Sequence, residues 1–387
     1  MFGSKSLRPQ FLSYSRGWLP TCMVVGVLAA CNVSGYGQDN ATAVASLAHA
    51  ASAVTPPDAN PASDAESDVQ AMSGYELIFP AMGTQLAFQA FSDDPKRVEK
   101  GFGEARLEVE RLVEILSDYS TESETVLLSR REKLGEWQAT SPELWEVLQI
   151  CDRWHELSHG AFDASIGQLS VLWRKARKTR TIPTREQIEQ ALEQCGWQYV
   201  ELDKDTHRVR INRAGLKLDF GAMGKGYVID KAYERLAVMG LPIALVRAGG
   251  DLRCGDAPPG RQGWPIEIAK LDGGERVAHR LLLANSAVSS SGDLYQFIEF
   301  EGGRHSHVID PKTGIGVPGP RLVTVVAPTS TEADAADTAL CVLSDDEALA
   351  VAKHVGSIEV RLATVMADQD QTFTVRTTPG FDGLLTP

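Results

Sequence analysis

The sequence predicts an α+β fold of mixed, mostly antiparallel sheets with packed helices. Two observations predict it. Segments with strand character come in runs, and segments with helical periodicity interrupt those runs without strict alternation. The chain has 387 residues and no visible internal repeat, so it suits one large domain or two modest ones.

Taken in order, the first segment is a targeting signal. Lys5, Arg8 and Arg16 precede the apolar run LPTCMVVGVLAA (19–30), which is too short for a comfortable membrane span. Leu28-Ala29-Ala30-Cys31 is similar to a bacterial lipobox. Residues 1–30 are therefore expected to be a lipoprotein signal peptide, with Cys31 the lipidated first mature residue. The alternative is an ordinary secretory signal with a chance Cys. Residues 31–74 are rich in Ala, Ser, Asp, Pro and Gly and hold almost no large apolar residues. They read as a tether with nothing to bury. The folded domain is expected over 75–387.

YELIFPAMGTQLAFQAF reads as two strands about a Gly83 turn. Helices follow at 96–117, at 141–158, and from a Thr184/Gln187 capping box to Cys195. A fourth covers 222–239, with Gly240 as its stop. Strands are expected at 243–247, 264–270, 280–291, 307–309 and 322–328. Two helices, 333–342 and 345–355, and two final strands complete the chain.

The formal charge is −13 with no long basic run, which weighs against nucleic acid as a partner. Beyond the anchor stand Cys151, Cys195, Cys254 and Cys341. They lack C-x-x-C spacing, which argues against a zinc site built from them; one disulfide is compatible with an oxidising compartment.

Four motifs bear on chemistry. HELSH (155–159) matches H-E-x-x-H, in which His155 and His159 would hold zinc and Glu156 act as base. The GAFD that follows suggests that the helix stops at Gly160, and the longer H-x-x-G-x-x-H continuation is absent. GAMGKG (221–226) departs from a phosphate-binding P-loop, with Asp219 in place of the first Gly and Gly226 in place of the hydroxyl residue. A Gly-rich helix start with Lys225 still suits an anionic phosphate, or is a plain turn with a surface Lys. AGGDL (248–252) is a turn or a close backbone approach to a ligand. In ADAADTAL (333–340), Asp334 and Thr338 stand at i and i+4 on one helix face. A carboxylate and a hydroxyl so placed are hard oxygen ligands for Mg²⁺, or simply an N-terminal charge and a surface residue.

Eight segments in order resemble the ApbE family of FAD:protein FMN transferases: AMGT (81–84), LSDYSTESETVL (116–127), GAFDASIGQL (160–169), LDFGAMGKGYVID (218–230), RAGGDLRCG (247–255), SSSGD (289–293), HSHVIDPKTG (305–314) and VTVVAPTSTEADAADTAL (323–340). The resemblance implies a T-fold-related architecture with an FAD cleft. It implies Mg²⁺-dependent transfer of the FMN half of FAD to a Thr or Ser hydroxyl of an acceptor redox protein, with release of AMP. Asp334 and Thr338 match the metal pair, with a backbone carbonyl at Gly221 or Ala222 as a further ligand. Lys225 matches the segment beside the nucleotide, and Tyr119, Ser123 and Glu124 the loop near its adenosine part. Met82, Asp163, Asp219, Gly221, Gly249, Gly250, Asp251, Ser291 and Gly292 match segments lining the cleft. His307 matches a histidine beside the phosphate, suited by its neutral-range pKa to act as base. Asp310 would hold it or stand behind the metal, with Thr313 closing that wall. The sequence departs from the family pattern at Ser129, Gln168 and Ser289, where Asn, Pro and Ala are usual. Three other readings stay open: an FAD pyrophosphatase, a non-catalytic FAD-binding lipoprotein, and the zinc protease. The anchor would place the domain on the periplasmic face of a membrane.

Overall fold

The computed structural model describes residues 12–14, 23–25, 72–269, 279–293, 297–300, 303–365 and 373–386. Cys31 and most of the expected signal peptide and tether lie outside the described residues. Among those described, no helix is long and apolar enough to cross a membrane.

Nine strands form the central sheet, in the order Leu12–Tyr14, Ser73–Ala81, Thr84–Ser92, Ala244–Ala248, Asp251–Cys254, Ser286–Gly292, Arg321–Ala327, Glu359–Val365 and Phe373–Thr377. Every neighbouring pair is antiparallel. Side-chain alternation sends Leu86, Phe88, Val246, Val323, Val325 and Val360 to one face, where helices α1 (Pro95–Leu116), α6 (Gly224–Val238) and α7 (Ser330–Val342) cover them. The other face carries Leu245, Leu252, Val288 and Val326. It packs on a small mixed sheet through Trp264, Ile266, Leu281 and Leu283. A strand buried on both faces loses its polar alternation, which is why Arg321–Ala327 is buried throughout.

Helix α6 crosses the start of α7 closely. A Cβ on Gly226 would meet the Ser330 carbonyl oxygen at 2.3 Å, so only glycine permits the approach. One turn later Asp230 reaches the same place. Its carboxylate accepts the Ser330 and Thr331 N–H groups at 2.9 and 2.8 Å, capping α7 from outside. The alanines of ADAADTAL then let α7 lie against the sheet, with Ala333, Ala335, Ala336 and Ala339 fully buried.

The sequence placed most elements correctly. The Thr184 capping box is formed, and Gly240 ends its helix at φ 81°. Among the details that differ, the strand that carries His307 runs over Gly303–Ile309, and a three-stranded sheet of Gln138–Ala139, Val200–Asp203 and Arg208–Ile211 was not expected. The first strand of the domain starts at Ser73, just ahead of the expected boundary at 75. The run 280–291 is two strands, His279–Leu283 and Ser286–Gly292, broken at Asn285, where φ is +50°. α7 begins at Ser330, because Thr329 accepts the Glu332 N–H as its cap. An unexpected helix, α4 (Gly167–Thr179), follows GAFD.

Gly226→Ala is expected to force α6 and α7 apart and to cost about 1–3 kcal/mol. Gly103→Ala, on the exposed face of α1 with nothing within 4 Å of the added Cβ, is expected to stabilise by about 0.5–1 kcal/mol. Urea denaturation of the two variants measures both changes.

Candidate active site

The α6–α7 crossing builds an acidic cradle against the sheet. Asp334, on α7, receives the Gly226 N–H at 2.9 Å, and the Lys225 ammonium at 3.2 Å. Lys225 also contacts Asp251, at the start of its strand. The anion at the start of α6 is thus a protein carboxylate. Because Gly226 N–H turns to Asp334, it does not bond the Ala222 carbonyl four residues earlier. Carboxylate oxygens of Asp251, Asp334 and Asp337 all lie within 4.8 Å of one another.

Two serines complete the cradle. Ser289 Oγ lies 2.5 Å from Asp251 Oδ1 and 2.5 Å from Asp337 Oδ2. Ser291 Oγ donates to Asp337 Oδ1 at 2.9 Å and lies 3.3 Å from Thr338 Oγ1. A hydroxyl carries one proton, so Ser289 donates to one of the two carboxylates at a time. Burial, helped by the Asp334 and Asp251 charges, pushes Asp337 well above the usual carboxylate range. Burial also pushes Asp334 up to about 6, against the pull of Lys225 and with the push of Asp251. Burial alone would lower the Lys225 pKa, but Asp251 and Asp334 outweigh it and raise the value. The ammonium stays charged.

These residues fit a divalent cation. The donors are hard oxygens: three clustered carboxylates and the Thr338 hydroxyl beside Asp337. The charge density already draws in one cation, the Lys225 ammonium, between Asp251 and Asp334.

Other expected residues surround the cradle. Met82 and Gly83 turn one hairpin, and Gly249 and Gly250 turn the next. The two turns are neighbours, since a Cβ on Gly249 (φ +61°) would lie 3.8 Å from Thr84 Oγ1. Gly292 ends the strand that carries Ser289 and Ser291. Asp219 accepts the Gly221 N–H at 2.8 Å, shaping the turn into α6. His307 is exposed on Gly303–Ile309, a strand packed against α7 and Ser286–Gly292.

Several expected contacts prove to be engaged locally. Ser123 is buried as the cap of the short helix α2 (Glu124–Leu128), accepting Val126 N–H and donating to the Ser117 carbonyl at 2.5 Å, with the Ser120 carbonyl 3.0 Å away. Glu124 accepts the Ser141 N–H at 2.6 Å, at the start of α3 (Pro142–Leu157). Asp163 holds the Ser165 and Trp197 backbone. Asp310 accepts the Lys312 N–H at 2.9 Å and the Thr313 hydroxyl at 3.0 Å, closing its own turn.

The zinc reading fails on geometry. α3 ends at Leu157, and His159 lies beyond it with φ +52°, so the two histidines do not share a helix face. His155 Nδ1 is paired with the Phe162 carbonyl at 2.9 Å. The four described cysteines are free and buried, so the disulfide left open by the sequence is not formed among them.

Sequence reasoning missed Asp337 as a cradle residue. Its signal was present: it stands at i+3 from Asp334, a spacing that shares a helix face as i+4 does.

An antiparallel sheet with helices on one face and a buried cluster of carboxylates against it defines an α+β protein built around an acidic, oxygen-lined site. The chain belongs to the ApbE family, whose model matches residues 82–362. It is 29% identical over 245 residues to a FAD:protein FMN transferase of Haemophilus influenzae, covering 62% of this chain and 71% of that protein. It is 29% identical over 281 residues to another from Salmonella typhimurium, covering 71% and 80%. The apo flavinyl transferase ApbE of Pseudomonas stutzeri has a similar structure, with a TM-score of 0.71, 28% identity and coverage of 82% and 98%. Flavin transferase ApbE from Vibrio cholerae, at 23% identity, shares the fold with a TM-score of 0.72, covering 81% of this chain and 100% of that one.

A cation held by Asp334 would need that carboxylate ionised. Mg²⁺ affinity is expected to fall as pH drops below about 6, approaching about tenfold per unit, as read by isothermal titration calorimetry. The folded, metal-free protein holds that proton more tightly than the unfolded chain. The contribution of Asp334 to stability is therefore expected to decline as pH rises from about 4 to about 6, and that of Asp337, raised further, to go on declining above it. Asp334→Asn is expected to abolish Mg²⁺ binding in the same titration.

Proposed function

We propose that this chain is an FAD:protein FMN transferase. It moves the FMN half of FAD onto a Thr or Ser hydroxyl of an acceptor redox protein and releases AMP. The observation that carries this reading is the Asp251–Asp334–Asp337 cradle, closed by Lys225, in a chain matching the family from residue 82 to 362.

Asp334, Thr338 and the Ala222 carbonyl would hold Mg²⁺, with Asp251 and Asp337 beside them. The ion, when bound, would supply charge neutralisation for the diphosphate. Lys225 adds a permanent positive charge at the same place, suited to a phosphoryl oxygen as negative charge develops there. His307 would take the proton from the acceptor hydroxyl as the new O–P bond forms and the bond to AMP breaks. Its exposure suits a base that must meet a protein acceptor. Asp310 keeps the turn after the His307 strand in shape. Gly249 and Gly250, just before Asp251, leave backbone near the cradle with no side-chain bulk. Cys31, as a lipidated residue ahead of the 31–74 tether, would keep the domain beside membrane-bound acceptors on the periplasmic face and raise their effective concentration.

Incubation of the domain with FAD, Mg²⁺ and a Thr-containing acceptor is expected to give an acceptor heavier by one FMN by mass spectrometry. AMP and FMN released with no acceptor modified would mark a pyrophosphatase, and FAD binding with no AMP a carrier. His307→Ala is expected to slow transfer by about 10²–10⁴-fold while FAD still binds.

A further inference from the structure

The structure carries a second linked group of charges, on α4, that the cradle does not use. Tyr119 is 78% exposed, unusual for a large aromatic. One face of its ring is covered: the Arg174 guanidinium carbon lies 4.5 Å from the ring centroid. Arg174 is held from three directions. It pairs with Asp118, the residue before Tyr119, donates from Nε to the Ser170 carbonyl at 3.1 Å, and reaches Asp219 Oδ2 at 3.3 Å. Asp219 in turn fixes the Gly221 N–H in the turn that leads to Lys225. One guanidinium therefore ties the Tyr119 loop to the turn that opens α6. Its planar fork suits two carboxylates and a ring face at once, which an ammonium cannot match.

We propose that Arg174 is a positioning residue that holds the Tyr119 ring as a fixed platform for an aromatic ring of FAD. This rests on the flavin-transferase reading. Arg174 touches no reacting atom in this role; it removes the freedom of an exposed ring before the nucleotide arrives. Burial and the neighbouring Asp219 charge push Asp118 upward, which the guanidinium opposes. Without it, two carboxylates face each other across the gap and the loop that carries Tyr119 loses its anchor.

The test is steady-state FMN transfer by wild type, Arg174→Met, Arg174→Lys, Tyr119→Leu and the Arg174→Met/Tyr119→Leu double variant. Thermal melts of each report folding. Arg174→Met is expected to raise KM for FAD about tenfold with kcat within about twofold, and Arg174→Lys to recover part of the loss. In the Tyr119→Leu background the Arg174→Met change is expected to add little, because the two act as one unit. A full additional loss in that background overturns the proposal, as does a fall in kcat with KM unchanged. If Arg174→Met fails to fold, the decision falls to Arg174→Lys alone and with Tyr119→Leu, by the same criteria. A wild type that flavinylates no acceptor would instead refute the transferase reading, so the two failures are distinct.

Discussion

The crossing of α6 over the start of α7 sets the geometry of everything near the cradle. It depends on a backbone approach that no side chain at position 226 would allow. The same approach aims the Gly226 N–H at Asp334 and brings Lys225 to the carboxylates. Asp230, one turn along, fixes the angle by capping α7 and pairs with Arg253 on the central sheet at 2.9 Å. Packing and electrostatics are thus fixed by the same few residues. A change that loosened the crossing would also move the charges.

The cradle concentrates like charge where water is scarce, an arrangement that is costly unless a cation or a proton is supplied. The protein supplies both. Lys225 stays ammonium, and burial pushes Asp337, which Ser289 contacts, towards its protonated form. Ser289 and Asp337 therefore belong together. The hydroxyl gives the extra carboxyl a partner in a site where burial is complete. Away from the cradle, Arg321 plays the corresponding part at the other end of α7. It is buried on the central sheet, donates to the Leu340 and Leu343 carbonyls and pairs with Asp345.

Much of this was legible in the sequence, for reasons that differ by element. The hairpin about Gly83, the Thr184 capping box and the Gly240 stop each rest on local chemistry, and local chemistry decides them. α4 escaped because its start has no side-chain cap to mark it, Ile166 standing there instead. The break at Asn285 escaped because an apolar run on both sides hides a single residue with positive φ. In the site, Asp334, Thr338, Lys225 and Asp251 were identified and stand together. Ser123, Glu124, Asp163 and Asp310 were identified too, yet their oxygens hold backbone N–H groups. Caps and ligand contacts draw on the same residue types, so sequence alone cannot separate them. Thr329 shows the reverse case: its T-x-x-E spacing to Glu332 announced a helix start three residues ahead of the one expected.

The four buried thiols have a consequence for how this domain reaches its destination. Burial pushes Cys195 and Cys254 up to about 11 and Cys341 up to about 12, so at neutral pH they offer almost no thiolate for exchange. A core that owes nothing to cross-links among them acquires its full strength without an oxidase or an isomerase. Among the described residues, the folded core asks for no oxidised sulfur.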